Sequence, residues 1–157
     1  MTIAVRLRVM TAGDVGEAAD LCTQLGYPST RDEVAERFGR LDPASERVIV
    51  AVDSDDTVIG WIHVAEIHSL LLSATGDIAG LVVDERHRGR RIGEALVAAA
   101  EAWAAERGLQ RVDVRSNVIR TDAHRFYERL GYRRYKTSFV FRREIGLRQP
   151  AASGNGG

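Results

Sequence analysis

Residues 81–96 hold the densest set of groups in this chain that could do chemistry. Leu81-Val82-Val83 is an apolar run, Arg86-His87-Arg88-Gly89-Arg90-Arg91 is a basic turn, and Ile92 opens a long amphipathic segment. A strand that feeds a helix through a glycine-containing turn makes an anion site. The first helical N–H groups have no intrahelical partner, and the helix dipole places partial positive charge at that end. Gly89 and Gly93 lack a Cβ, so a ligand can come close to the backbone. Arg86, Arg88, Arg90 and Arg91 add full charges, and the expected guest is a phosphate or pyrophosphate. P-loop and dinucleotide fingerprints are excluded, because neither glycine spacing occurs in the chain.

A second constellation lies downstream. Residues 112–117 read as a strand ending in Asn117, followed by Thr121-Asp122-Ala123-His124-Arg125-Phe126-Tyr127-Glu128-Arg129-Leu130-Gly131-Tyr132. The ordered pair resembles motifs A and B of the GCN5-related N-acetyltransferases, the GNAT family. Arg88 takes the first place of the motif A signature and Gly93 the last, while Arg91 replaces its middle glycine. A residue in the first helical turn has ordinary right-handed dihedrals, so the replacement is expected to be tolerated.

The resemblance implies an acyltransferase that moves the acetyl group of acetyl-CoA to a primary amine of a small molecule or protein, by direct transfer in a ternary complex. It implies pyrophosphate binding at Arg88, Gly89, Arg90, Arg91, Ile92 and Gly93, and pantetheine lying along the backbone of Leu81, Val82 and Val83 like an added strand. Asn117 either hydrogen-bonds the same arm or caps the turn after Ser116. The resemblance also implies a homodimer. A non-catalytic acyl-CoA-binding sensor on the same fold is the alternative.

Such chemistry has two demands. An alkyl ammonium has a pKa near ~10.4, so making it neutral at pH 7 costs roughly 4–5 kcal/mol, and a base must supply part of this. The departing thiolate is helped by an acid. The resemblance places Tyr127 beside the thioester sulfur as that acid, and Asp77 where many family members carry an acidic base. Glu66, His63 and His68 compete for the base role. His63 and His68 stand without a cysteine cluster, so no metal site is expected.

Composition bounds the remainder. The chain has 157 residues, 45% hydrophobic and 28% charged, as expected of a globular domain with its own core. Basic and acidic residues balance at 22 each, which argues against nucleic acid or an anionic membrane as partner. The single cysteine, Cys22, allows no intrachain disulfide and falls at an apolar helical position. The N-terminus lacks a signal pattern and no apolar run reaches bilayer length, so a cytoplasmic protein is expected.

Periodicity then supplies the elements that must position these groups. Residues 5–10 read as a strand, 14–25 as a helix, and Thr30-Arg31-Asp32-Glu33 as a capping box opening a second helix. Strands over 47–52 and 57–67 flank a turn at Asp53-Ser54-Asp55-Asp56. A strand over 77–83, a helix over 92–107, a strand over 111–116 and a helix over 122–130 follow, and strands over 132–135 and 139–145 close the order. The expected fold is α/β (α+β) of GNAT type: a central mixed, mostly antiparallel sheet of six to seven strands flanked by about four helices. One domain is expected over 1–148, with a disordered tail over 149–157.

Overall fold

The computed structural model describes residues 5–146; the expected tail over 149–157 lies outside them. Five strands form one sheet in sequence order: β1 (Arg6–Val9), β2 (Glu46–Val52), β3 (Val58–Ile67), β4 (Thr75–Val83) and β5 (Val112–Val114). All neighbours are antiparallel except β4 and β5, which run parallel. Helices α1 (Val15–Leu25) and α2 (Arg31–Gly39) cover one face, and α3 (Ile92–Glu106) and α4 (Thr121–Arg129) the other.

The mixed, mostly antiparallel sheet and its four helices follow the sequence reading, but among the described residues the strand count is five rather than six or seven. The expected strands over 132–135 and 139–145 carry no ladder, and residues 133–146 are all exposed. Alternation over Tyr135, Thr137, Phe139 and Phe141 specifies a strand with one apolar side. It does not specify an edge to pair with, and a strand exists only through its neighbour.

Local chemistry explains the elements that form. Thr30 Oγ1 accepts from the Glu33 N–H at 3.2 Å, while Glu33 Oε2 accepts from the Thr30 N–H at 2.8 Å, so the capping box opens α2. Asp53 Oδ1 accepts from the N–H groups of Asp55 and Thr57, closing the hairpin between β2 and β3. At the start of the chain, both guanidinium ends of Arg8 donate to the Asp14 carboxylate, at 2.8 and 2.9 Å, and tie β1 to the turn before α1.

The helix that matters most for function is held hardest. Ile92, Leu96, Val97, Ala100 and Trp103 of α3 are buried against Ile62 and Val64 of β3 and Ile78 of β4. Each such side chain contributes roughly 1.5–3 kcal/mol on burial. This fixes the N-terminus of α3 at the C-terminal end of β4, where the basic turn lies. On the opposite face, Val15, Ala18 and Leu21 of α1 pack with Val48, Val50 and Val82.

Candidate active site

β4 and β5 pair only through Gly76–Val112, Asp77–Asp113 and Ile78–Val114, and then part. Just beyond, β4 carries a bulge. His63 faces Gly80 and Val64 faces Ile78, which leaves Ala79 as the extra residue. A Cβ on Gly80 would stand 2.8 Å from the Trp61 ring, so the bulge depends on glycine there. A cleft of about 1230 Å³ occupies the gap. It is lined by β4 from Ile78 to Val83, by the turn and first residues of α3, by Val114 to Ser116, and by α4. Single-ligand pockets run to roughly 300–1,000 Å³, so there is space for two substrates. From the other sheet face come Cys22, Leu25, Tyr27, Ser29 and Arg37.

The basic turn is shaped by Asp84 and Arg86. Asp84, buried, accepts from the Arg86 N–H at 2.9 Å and from its guanidinium at 3.1 and 2.8 Å, closing a single helical turn over Glu85–His87. The Arg86 guanidinium and backbone N–H hold the Asp84 carboxyl well below the usual carboxylate range, against the opposing effect of its burial. Arg86 is thereby spent on shaping the turn and does not line the cleft, whereas His87, Arg88, Gly89 and Arg91 do. α3 starts with no side-chain cap, which leaves its first N–H groups for a ligand.

Arg91 corrects one expectation. It is the residue before α3 rather than within its first turn, and its φ of 60° and ψ of 19° lie in the left-handed region. The middle position of the motif therefore requires the backbone conformation that glycine adopts freely, and arginine holds it under strain.

On the α4 wall of the cleft, Tyr127 is half-buried and packs between Phe126 and Tyr132, with ring centroids 5.1 and 5.7 Å away. Burial pushes its phenol up, partly offset by Arg120, so the proton is held more tightly than usual. Cys22 is likewise raised, chiefly by burial, and stays a thiol.

The structure gathers Leu81, Val82, Val83, Arg88, Gly89, Arg91, Ile92, Gly93 and Tyr127 around one cleft. It does not bring the remaining expected residues there. Arg90 is outside the lining. Asn117 Oδ1 accepts from the Ile119 N–H at 3.1 Å, and its carbonyl accepts from the Arg120 N–H, so it caps a turn. Asp77 lies next to Ile78 of the lining, with its carboxylate on Arg115 Nη1 at 3.1 Å. The competing bases are engaged elsewhere: His63 with Glu46, and Glu66 with Arg107 and His68. Among the described residues, no group of three or more His, Cys, Asp or Glu could hold a metal ion, and no helix is long and apolar enough to cross a membrane. The α1–α2 wall was invisible to sequence reasoning, because Tyr27 and Arg37 meet the motifs only through the fold.

A model of the Acetyltransferase (GNAT) family matches residues 15–132. Over 121 residues, or 76% of each chain, the sequence is 34% identical to the aminoalkylphosphonate N-acetyltransferase of Salmonella typhimurium. It is 27% identical over 143 residues to an aminoglycoside N(6')-acetyltransferase of Stenotrophomonas maltophilia, covering 88% of this chain and 93% of that one. An aminoglycoside N-acetyltransferase solved in complex with CoA superposes with a TM-score of 0.80 at 18% identity, over 92% and 98% of the two chains. The fold is that of these acetyltransferases, with the cleft where β4 and β5 part. The chain belongs to the GNAT acetyltransferase family, and it is an N-acetyltransferase with acetyl-CoA as co-substrate.

Proposed function

We propose that the chain acetylates a small primary amine that also carries an anionic group, and that the acceptor enters from the α1–α2 side of the cleft. The carrying observation is charge. That wall presents Arg37, whose Nη1 donates to Ser29 Oγ at 3.1 Å, and among its described lining residues there is no carboxylate. Arg115 also reaches the cleft but is matched by Asp77. The name of the Salmonella relative, an aminoalkylphosphonate N-acetyltransferase, describes an acceptor of this kind. Several ammonium groups on one acceptor would meet repulsion from Arg37.

In this reading the uncapped N–H groups of α3, with Arg88, Gly89, Arg91, Ile92 and Gly93, hold the pyrophosphate. Leu81 to Val83 offer their backbone to the pantetheine arm. Tyr127 donates its proton to the departing thiolate; burial keeps the phenol protonated, so the proton is present to give. Asp77 draws the ammonium proton through an intervening water, since its own carboxylate is held by Arg115. Transfer is direct: the half-buried Cys22 thiol has its pKa raised and is a poor nucleophile, which speaks against an acetyl-cysteine stage. The protein works as a cytoplasmic homodimer, as the family resemblance implies, and its balanced charge speaks against a nucleic-acid or membrane partner.

The test is a matched amine panel followed by thiol release: 2-aminoethylphosphonate, ethanolamine and a polycationic aminoglycoside. The phosphonate should lead ethanolamine at least tenfold in kcat/KM, and Arg37→Gln should erase that lead. Preference for the aminoglycoside would overturn the reading.

A further inference from the structure

Arg115 follows β5 directly, one residue beyond its last pair with β4, Ile78–Val114, and it lines the cleft that opens there. Ile78 and Val114 pack into the core under α3. Alternation along each strand therefore turns Asp77 and Arg115 to the opposite, α1–α2 face. The two meet there through one contact, Arg115 Nη1 donating to Asp77 Oδ1 at 3.1 Å.

The partners are unequal. The Asp77 side chain is 12% exposed and sits within the sheet, in register with Ala65 and Asp113. The Arg115 side chain is 80% exposed. A guanidinium carries five N–H donors in a fixed fork. Among the described residues, Asp77 takes the one hydrogen bond that the Arg115 side chain gives, and Asp77 Oδ2 accepts none. Charge on this face is balanced. Arg111, which reaches Thr75 Oγ1 at 3.4 Å, and Asp113 share it with Arg115 and Asp77 by the same alternation.

We propose that the Asp77–Arg115 pair reads the acceptor as a compact zwitterion, with its ammonium at Asp77 and its anionic group on the open edge of the Arg115 fork. Laid head to tail beside the ion pair, each charge meets its opposite. A neutral amine makes only half of this contact, and a second ammonium would meet Arg115. One guanidinium then serves both Asp77 and the acceptor's anion, so little chain separates the two charges of the acceptor. Arg37 attracts the anion from the α1–α2 wall, and Arg115 fixes how far from the ammonium that anion sits. Asp77 Oδ2 is left for the water that carries the ammonium proton. The inference rests on the anionic-acceptor reading above and adds to it a second arginine and a spacing.

The test is a spacer series, 2-aminoethylphosphonate against 6-aminohexylphosphonate, with ethanolamine as the neutral amine, run on wild type, Arg115→Gln and Arg115→Lys. In wild type the short phosphonate should lead the long one about tenfold or more in kcat/KM. Arg115→Gln should remove that lead, while ethanolamine turnover rises because the cation on Asp77 is gone. Arg115→Lys, a charge without a fork, should not restore the lead. An equal loss on all three amines in Arg115→Gln, or a lead restored by lysine, overturns the proposal. A wild type that prefers both phosphonates to ethanolamine but ignores the spacer overturns the role of Arg115 and leaves the anionic-acceptor reading standing. A wild type that prefers ethanolamine overturns both.

Discussion

A Cβ placed on Gly93 would lie 3.2 Å from Cζ of Phe126 and 3.4 Å from its Cε2. The bare position in the first turn of α3 thus serves a second purpose besides admitting a ligand, because the α4 ring packs into the space. Overpacking of this kind costs about 1–3 kcal/mol, part of which alanine recovers through helix propensity. Gly93→Ala should lower the urea-unfolding free energy by ~1 kcal/mol, and in a Phe126→Leu background the same substitution should cost nothing. Additive effects in that double-mutant cycle would show that the ring contact does not set the cost.

Arg91 gives the opposite sign. Left-handed backbone costs an L-residue roughly 1–2 kcal/mol, and a glycine in its place adds about 0.5–1 kcal/mol of unfolded-state entropy. Arg91→Gly should therefore raise stability by about 0.5–1 kcal/mol. If the guanidinium binds the pyrophosphate, as proposed, acetyl-CoA affinity should fall several-fold in the same variant, and by less at high salt. Calorimetric titration beside urea unfolding separates the two effects; a variant that loses stability contradicts the strain at this position.

Arg91 also marks where sequence reading stopped. The run from Leu81 to Gly93 is local: an apolar strand, a turn and a helix start fix one another, and their meeting point was legible. The backbone conformation at Arg91 was not, because a one-residue shift in the helix boundary converts a tolerated first-turn side chain into a strained cap. Asn117 had two open uses, and the choice between them depended on the turn formed by Ile119 and Arg120. Arg37 and Tyr27 reach the cleft from α2 and the α1–α2 connection, through packing that no periodicity reports. The arm over 133–146 has a clear strand pattern and no partner within the described chain, so its alternation named a face without naming a sheet.

Tyr127 allows a test of acid catalysis by pH. Burial raises its phenol above the ordinary value near ~10, so the protonated form persists through that pH. A donor lost by titration would make kcat fall as pH rises. Here kcat should hold from pH 8 to about pH 10 wherever the amine is saturating. Tyr127→Phe should lower kcat by about 100-fold or more, with the acetyl-CoA KM within a few-fold of wild type. A small loss with a large KM change would make Tyr127 a wall residue instead.

Asp84 predicts the acid limb of stability. Its carboxyl is held below the ordinary carboxylate range by the Arg86 guanidinium and N–H. A folded-state pKa below the unfolded one means that the unfolded chain binds the proton first. The contribution is therefore fully present above pH ~4 and is lost as pH falls through the folded value. Wild type should lose stability steeply below pH ~4, and Asp84→Asn should flatten that part of the curve while being less stable at pH 7. The same variant should loosen the turn over Glu85–His87 and weaken acetyl-CoA binding at neutral pH, because Arg88 and Gly89 follow directly from it. Urea unfolding from pH 2.5 to 7 gives the first result and calorimetric titration the second. An unchanged acid limb would mean that other carboxylates, Asp14 with Arg8 foremost, carry the pH dependence.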